Sequence, residues 1–365
     1  RHNAEPKERA SFYIIQNVGA ILENDDQNGL AHFLEHMAFN GTKHFPGRKG
    51  ITDMLEKHGV EFGRNVNAYT AQDETVYNIS EVPTTNPGLL DTCLLVLHDW
   101  SHYLLLVDEE IDGERGVISE EWRTRRNAGF RVRNQIMPVL LKDSKYAQRD
   151  VIGDLNIIKN FKYQTLRDYY HKWYRPDLQA IAVVGDFDVD QMEKKVKELF
   201  SKIPTPVNPA KRENFTVNPH DEIYYVCATD KELTQSTVNV YIKYPAPTKE
   251  EKNHQYMKNG ILQSFYNTML GQRVSELLQK GNPPFISAQA GFGGNIVRGW
   301  NTYIISTTAK PNEEAGALEA IYRENERVKK FGFTEGELER AKTNMLVGLE
   351  SANKQKDKTT SEDYI

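Results

Sequence analysis

Apolar and polar positions along the chain follow two different periods. Residues 10–24, ASFYIIQNVGAILEN, are rich in β-branched and aromatic side chains and predict a strand. Asp25 and Asp26 then supply turn and cap chemistry, and a helix is expected from there to Gly41. A second helix is expected over 48–58, ending at Gly59. Residues 61–83 alternate as two strands around a polar turn at Gln72–Glu74. After Asn86–Pro87, the residues Leu90, Leu94, Leu97, Trp100 and Leu104 recur every three or four positions, so a helix with one buried face is expected. One long helix is expected over 108–140, then a short helix ending at YHKWYRPD, an apolar strand over 178–187 and a helix over 188–201.

Residues 203–214, IPTPVNPAKREN, place three prolines in a short polar span, the pattern of a linker. The pattern of elements then begins again. Strands are expected at 222–229 and 236–244, a helix at 249–279, and further strands around the glycine-rich stretch GFGGNIVRG (291–299). That stretch lacks the helix start of a phosphate cradle and reads as a strand bend. Helices are expected over 312–330 and from Thr334, where Thr334 and Glu337 form a capping-box pair. The order strand, helix, strands, helices thus occurs twice. The expected class is α+β, two related domains with mainly antiparallel sheets: 1–205, and 206–365, the second ending in a polar tail and read as cut short.

Composition narrows the picture only a little. The 365 residues suffice for two cores, and a net charge of −5 at pH 7 lacks the basic excess of a nucleic-acid binder. No run reaches the roughly eighteen apolar residues of a membrane span. The chain begins with Arg, with no signal-peptide pattern after it, which reads as a processed or trimmed start. Cys93 and Cys227 lie in apolar surroundings and are expected to be small buried hydrophobes.

The chemistry concentrates in NGLAHFLEHMAFNGTKHF, residues 28–45. On a helix, His32 and His36 sit one turn apart on one face and offer two imidazole nitrogens to one ion. Zinc accepts this, with bonds of about 2.0–2.1 Å. Glu35 lies beside the same face. A metal lowers the pKa of bound water toward about 7, and an adjacent carboxylate can take its proton. A catalytic zinc usually has a third protein ligand. Glu114 and Glu121, in GERGVISEEW, are two helical turns apart and share a face; one can bind the metal while the other orients a histidine, and spacing does not choose between them. Glu120 points about 100° away on a helix and is expected to face solvent. His44, His58, His98, His102, His171, His220 and His254 show no such constellation and are expected to be structural or exposed.

H-x-x-E-H marks the inverzincins. GLAHFLEHMAFNGTKHFP, NAYTAQDETVYNI, ERGVISEE and YRPDLQAIAVVGDFD together resemble the pitrilysin and insulysin family of zinc metallopeptidases, in the flavour of its large bacterial members. The resemblance implies one Zn2+ per chain, held by His32, His36 and Glu121, with Glu35 as general base and Glu114 as supporting acid. It places Asn67, Ala68 and Tyr69 on a strand beside the cleft, where a peptide backbone would add to the edge. The implied activity is zinc-dependent endopeptidase action on peptides or unfolded segments. The alternatives are an inactive scaffold, or a half-chain that needs its missing C-terminal half or a homologous subunit. A half-chain would expose apolar surface, so a dimer is also among the expected partners. The compartment stays open, with the bacterial periplasm or cell envelope compatible with the resemblance.

Overall fold

The computed structural model describes Arg1–Ile365. The chain divides into two units, one of residues 1–126, 148–215 and 355–365, the other of 127–147 and 216–354. The main boundary therefore falls ten residues beyond the expected 205/206, and two segments change sides. Residues 127–147 leave the first unit, and 355–365 join it, where the Asn3 amide donates to Thr359 O at 3.0 Å.

The first unit contains strands β1 (Arg9–Gln16), β2 (Val66–Thr70), β3 (Thr75–Pro83) and β4 (Gln179–Gly185), in the order β2-β3-β1-β4, every pair antiparallel. Its helices are α1 (Leu30–Met37), α2 (Gly50–Glu56), α3 (Pro87–His102), α4 (Asp108–Arg125), α6 (Leu155–Asn160), α7 (Tyr163–Trp173) and α8 (Val189–Phe200). The α3 stripe is buried as its spacing requires: Leu90, Leu94, Leu97 and Trp100 face inward, and Trp100 stacks on Tyr77 of β3 with ring centroids 5.3 Å apart. The Asn86 side chain caps α3 by accepting from Gly88 and Leu89 N–H.

The first strand is shorter than its composition suggests. It stops at Gln16, and residues 20–22 and 25–27 form single 3-10 turns instead. The backbone there turns because Gly19 packs directly on the β2–β3 connection, where a Cβ would lie 2.5 Å from Ala71 O.

The second unit contains α5 (Ala128–Leu140), β5 (Ser236–Pro245), α9 (His254–Gln279), β6 (Phe285–Val297), β7 (Trp300–Ala309), α10 (Glu314–Phe331) and α11 (Glu335–Gln355). Its antiparallel sheet runs β5-β7-β6 and packs Phe285, Ile305 and Ala309 against Leu270 and Val274 of α9 and Ala317, Ile321 and Val328 of α10. Residues 291–297 of the glycine-rich stretch lie in β6, where the register against β7 shifts between Phe292 and Val297, and Arg298 and Gly299 make the turn into β7.

Three local expectations are corrected. The helix predicted over 108–140 is two helices, because Asn127 accepts from Phe130 N–H and caps a new start. Residues 222–229 form no strand; Ile223 and Tyr225 are 74% and 83% exposed, and an apolar, aromatic run without a partner strand forms no ladder. Cys227 is exposed, whereas Cys93 is buried as expected. No helix is long and apolar enough to cross a membrane.

Candidate metal centre

Helix α1 is fixed before any chemistry is considered. Glu23, fully buried, accepts from Gly29 N–H at 3.0 Å and from Ala31 N–H at 2.8 Å, so a carboxylate closes the helix N-terminus. Gly29 has φ +106° and Gly153 φ +80°, and the two backbones touch; a Cβ on Gly153 would lie 2.3 Å from Gly29 Cα. Gly153 O in turn accepts from the Trp122 indole of α4 at 3.1 Å. Arg115 of α4 donates to Ile158 O and Phe161 O at 2.7 and 2.8 Å. These ties set the register of α4 against α1.

That register brings residues 32, 36 and 121 together. Nε2 of His36 and Nε2 of His32 lie 3.3 and 3.6 Å from the same oxygen, Oε2 of Glu121. Within the cluster each residue presents a ligand atom within 4.8 Å of the others. The two imidazoles meet edge to face, centroids 4.7 Å apart. Glu114 lies on the far side of His36, with Oε1 2.9 Å from Nδ1. Glu35 is 9% exposed, and the Thr70 hydroxyl at the end of β2 donates to its Oε2 at 2.6 Å. Glu120 faces solvent, paired with Arg123.

The charges follow from this geometry. Burial pulls His36 down, but hydrogen bonds to Glu114 and Glu121 outweigh it and raise its pKa to about 9. Burial, then the His36 charge, lowers His32. The hydrogen bond from His36 lowers Glu121. Burial raises Glu35 against the opposing Thr70 hydrogen bond. Burial also pushes Glu114 up, but donors from His36 and Asn40 hold it below the ordinary carboxylate value.

The donor set fits zinc. Bonds of about 2.0–2.1 Å in a tetrahedron put neighbouring ligand atoms about 3.3–3.4 Å apart. The observed 3.3 and 3.6 Å bracket that edge, and 3.6 Å is too long for a hydrogen bond to satisfy His32 Nε2. Both metal-capable clusters lie in the first unit.

The second cluster, His44, His98 and Asp99, was not anticipated from sequence. Fully buried Asp99 accepts from the Thr42 hydroxyl at 2.7 Å, from His44 N–H at 2.8 Å and from the His44 ring at 2.8 Å. This closed network ties the turn after α1 to α3, which agrees with a structural role for both histidines. Also unanticipated are Thr70, Asn40, Arg48 and Arg125, the last pairing with Glu121 Oε1 at 2.5 Å. Only Arg125 carried a local signal, as the i+4 partner of Glu121.

Asn67, Ala68 and Tyr69 all lie on β2, an edge strand paired only with β3. Tyr69 is 50% exposed.

Two family models match the chain. Insulinase (Peptidase family M16) covers residues 2–138, and the Peptidase M16 inactive domain covers 160–345. The chain belongs to peptidase family M16. Among its M16 relatives, the probable zinc protease PqqL of Escherichia coli is 30% identical over 350 residues, 96% of this chain and 37% of that protein. A zinc protease PQQL-like protein of Arabidopsis thaliana is 30% identical over 362 residues, 99% of this chain and 34% of that protein. The crystal structure of the first half of the periplasmic protease PqqL from E. coli superposes with TM-score 0.88 at 29% identity, covering 99% of this chain and 76% of that one. This M16 chain therefore spans about a third of the length of the curated relatives it matches.

Proposed function

We propose that the chain carries the catalytic part of a zinc-dependent endopeptidase acting on peptides or unfolded protein segments. His32, His36 and Glu121 hold one Zn2+, and the observation that carries the reading is the convergence of both Nε2 atoms on one Glu121 oxygen. Zinc, when bound, supplies Lewis-acid polarisation of the scissile carbonyl and a water of lowered pKa. Glu114 accepts from Nδ1 of His36 and so keeps Nε2 free as a ligand. Glu35 is the general base. Its Oε2 is occupied by Thr70, which leaves Oε1 to take a proton from water and return it to the leaving amine. The raised pKa of Glu35 suits both directions of that transfer. The exposed edge of β2, at Asn67, Ala68 and Tyr69, receives the extended substrate backbone as an added strand. The periplasm, named for the E. coli relative, is the compartment proposed.

Glu35→Gln tests the assignment. It should keep stoichiometric zinc and reduce hydrolysis of a quenched peptide by about 10²–10⁴-fold, the usual worth of a general base. Full activity in that variant would end it.

A second reading has its own observation. The chain covers about a third of its relatives' length, and in this reading hydrolysis requires a C-terminal half or a homologous subunit. Zinc bound by this chain alone, with turnover only after the rest is added, would favour that reading. Zinc bound with no turnover in either state would favour a scaffold.

A further inference from the structure

Glu114 does more than touch His36, because both of its oxygens are spoken for. Oε1 accepts from Nδ1–H of His36 at 2.9 Å. Oε2 takes two donors, the Asn40 amide at 2.6 Å and the Arg48 guanidinium at 2.9 Å. Asn40 is buried in the turn that ends α1. Arg48 is half-exposed; it also reaches toward Glu110, 3.4 Å away, and crosses α4 at Gly113, where a Cβ would meet the guanidinium at 3.0 Å.

A glutamate held at one oxygen can still turn about its last torsion, which is soft and broad. With Oε2 fixed by two donors, one of them charged, the carboxylate plane is set and Oε1 has one direction left. That direction is Nδ1 of His36. The proton on Nδ1 then stays there, and Nε2, directed at Glu121 and the metal position, is the nitrogen that yields its proton when an ion binds. Asn40 and Arg48 both come from the segment that follows α1, while Glu114 comes from α4, so the brace also ties together the two helices that carry the ligands.

We propose that Asn40 and Arg48 are positioning residues of the metal centre: by fixing Glu114 they set the orientation of His36, and with it metal affinity, without touching the metal. The inference rests on the reading that His32, His36 and Glu121 hold zinc.

The experiment is zinc affinity of the whole chain, measured by competition with a chromogenic chelator, together with the visible spectrum of the Co2+-loaded form. Neither readout needs peptide turnover. Arg48→Met and Asn40→Ala should each weaken zinc by about tenfold, the lower end for partners of ligand histidines, and change the cobalt bands. Arg48→Lys, whose ammonium can reach one Glu114 oxygen, should recover most of the loss. Arg48 is half-exposed, so Arg48→Met should leave the melting temperature of the metal-free chain where it was, which separates positioning from folding. Wild-type affinity and an unchanged cobalt spectrum in Arg48→Met and Asn40→Ala, with binding still lost in His36→Ala, would overturn the brace and leave the metal site standing. Failure of the wild-type chain to bind zinc would overturn both.

Discussion

The two units use one order of elements for different ends. In the first, β1 leads to α1, a hairpin β2–β3, then α3 and α4; in the second, β5 leads to α9, a hairpin β6–β7, then α10 and α11. The informative difference lies where the helix after the leading strand meets the second helix after the hairpin. Between α1 and α4 stand two histidines and two glutamates, with Nδ1 of His36 on Glu114 and both Nε2 atoms at Glu121. Between α9 and the start of α11 stands one bidentate ion pair, Arg273 to Glu337 at 2.5 and 2.8 Å. An arginine pairs with a carboxylate and completes itself. The His36 ring reaches Glu121 only by a long 3.3 Å bond and the His32 ring stands off at 3.6 Å, a spacing that leaves room for an ion. The shared order of elements thus supplies a helix-to-helix junction, and the side chains there make a fastening in the second unit and the proposed metal centre in the first.

Removing the shared acid should break the contrast most severely. Glu121→Ala leaves two imidazoles without their third partner, and zinc affinity of the chain should fall by more than about a hundredfold, beyond the 10–100-fold typical of outer partners. Equilibrium dialysis with metal analysis reads this directly, and unchanged stoichiometry would move the third ligand elsewhere. Thr70→Val comes next. It removes the donor to Glu35 at nearly constant volume, and kcat should drop by about tenfold with zinc content and KM held, while Thr70→Ser should restore it. An equal loss in both variants would mean that the threonine packs rather than positions. In the second unit, Arg273→Met should destabilise by about 1–3 kcal/mol in urea unfolding, since the pair is mostly buried, and should leave zinc affinity untouched.

What sequence shows of this is the part that is local. His32, Glu35 and His36 lie within five residues, so helical periodicity alone places them on one face. The α3 stripe and the Thr334–Glu337 box are local for the same reason, and the box is present, with Thr334 N–H on Glu337 at 2.7 Å. Spacing left Glu114 and Glu121 equivalent, because which one faces the imidazoles depends on how α4 lies on α1. That lie is set by Gly29 against Gly153 and by Trp122 on Gly153 O, contacts between segments far apart in the chain. Thr70, Asn40 and Arg48 were invisible for the same reason. Residues 222–229 misled in the opposite way: their β-branched and aromatic content is real, but a strand also needs a neighbour to accept its hydrogen bonds. The break at Asn127 shows a cap overriding a helical run, a competition that amphipathic pattern does not register.

The finest test sets the two junctions against each other in pH. In the metal-free chain His36 is raised from 6.5 to about 9, despite burial, by Glu114 and Glu121. A raised pKa means that folding favours the protonated ring, so its contribution is fully present below pH 6.5 and fades as pH climbs through about 9. Glu337 is lowered from 4.5 to about 2 by the hydrogen bond from Arg273. Folding there favours the ionised acid, so its contribution is full above pH 4.5 and fades as pH falls through about 2. Urea midpoints of the chelator-treated chain, taken as the difference between wild type and His36→Leu, should narrow between pH 6.5 and 9; the difference between wild type and Glu337→Gln should narrow only in acid. Zinc should invert the first trend alone. The ion must displace a proton from Nε2 of His36, so zinc affinity should rise with pH over the same interval in which the metal-free junction weakens. A His36 difference that stays flat from pH 6.5 to 9 would mean that the ring does not change charge on folding over that interval, and that Glu114 and Glu121 do not raise its pKa into it.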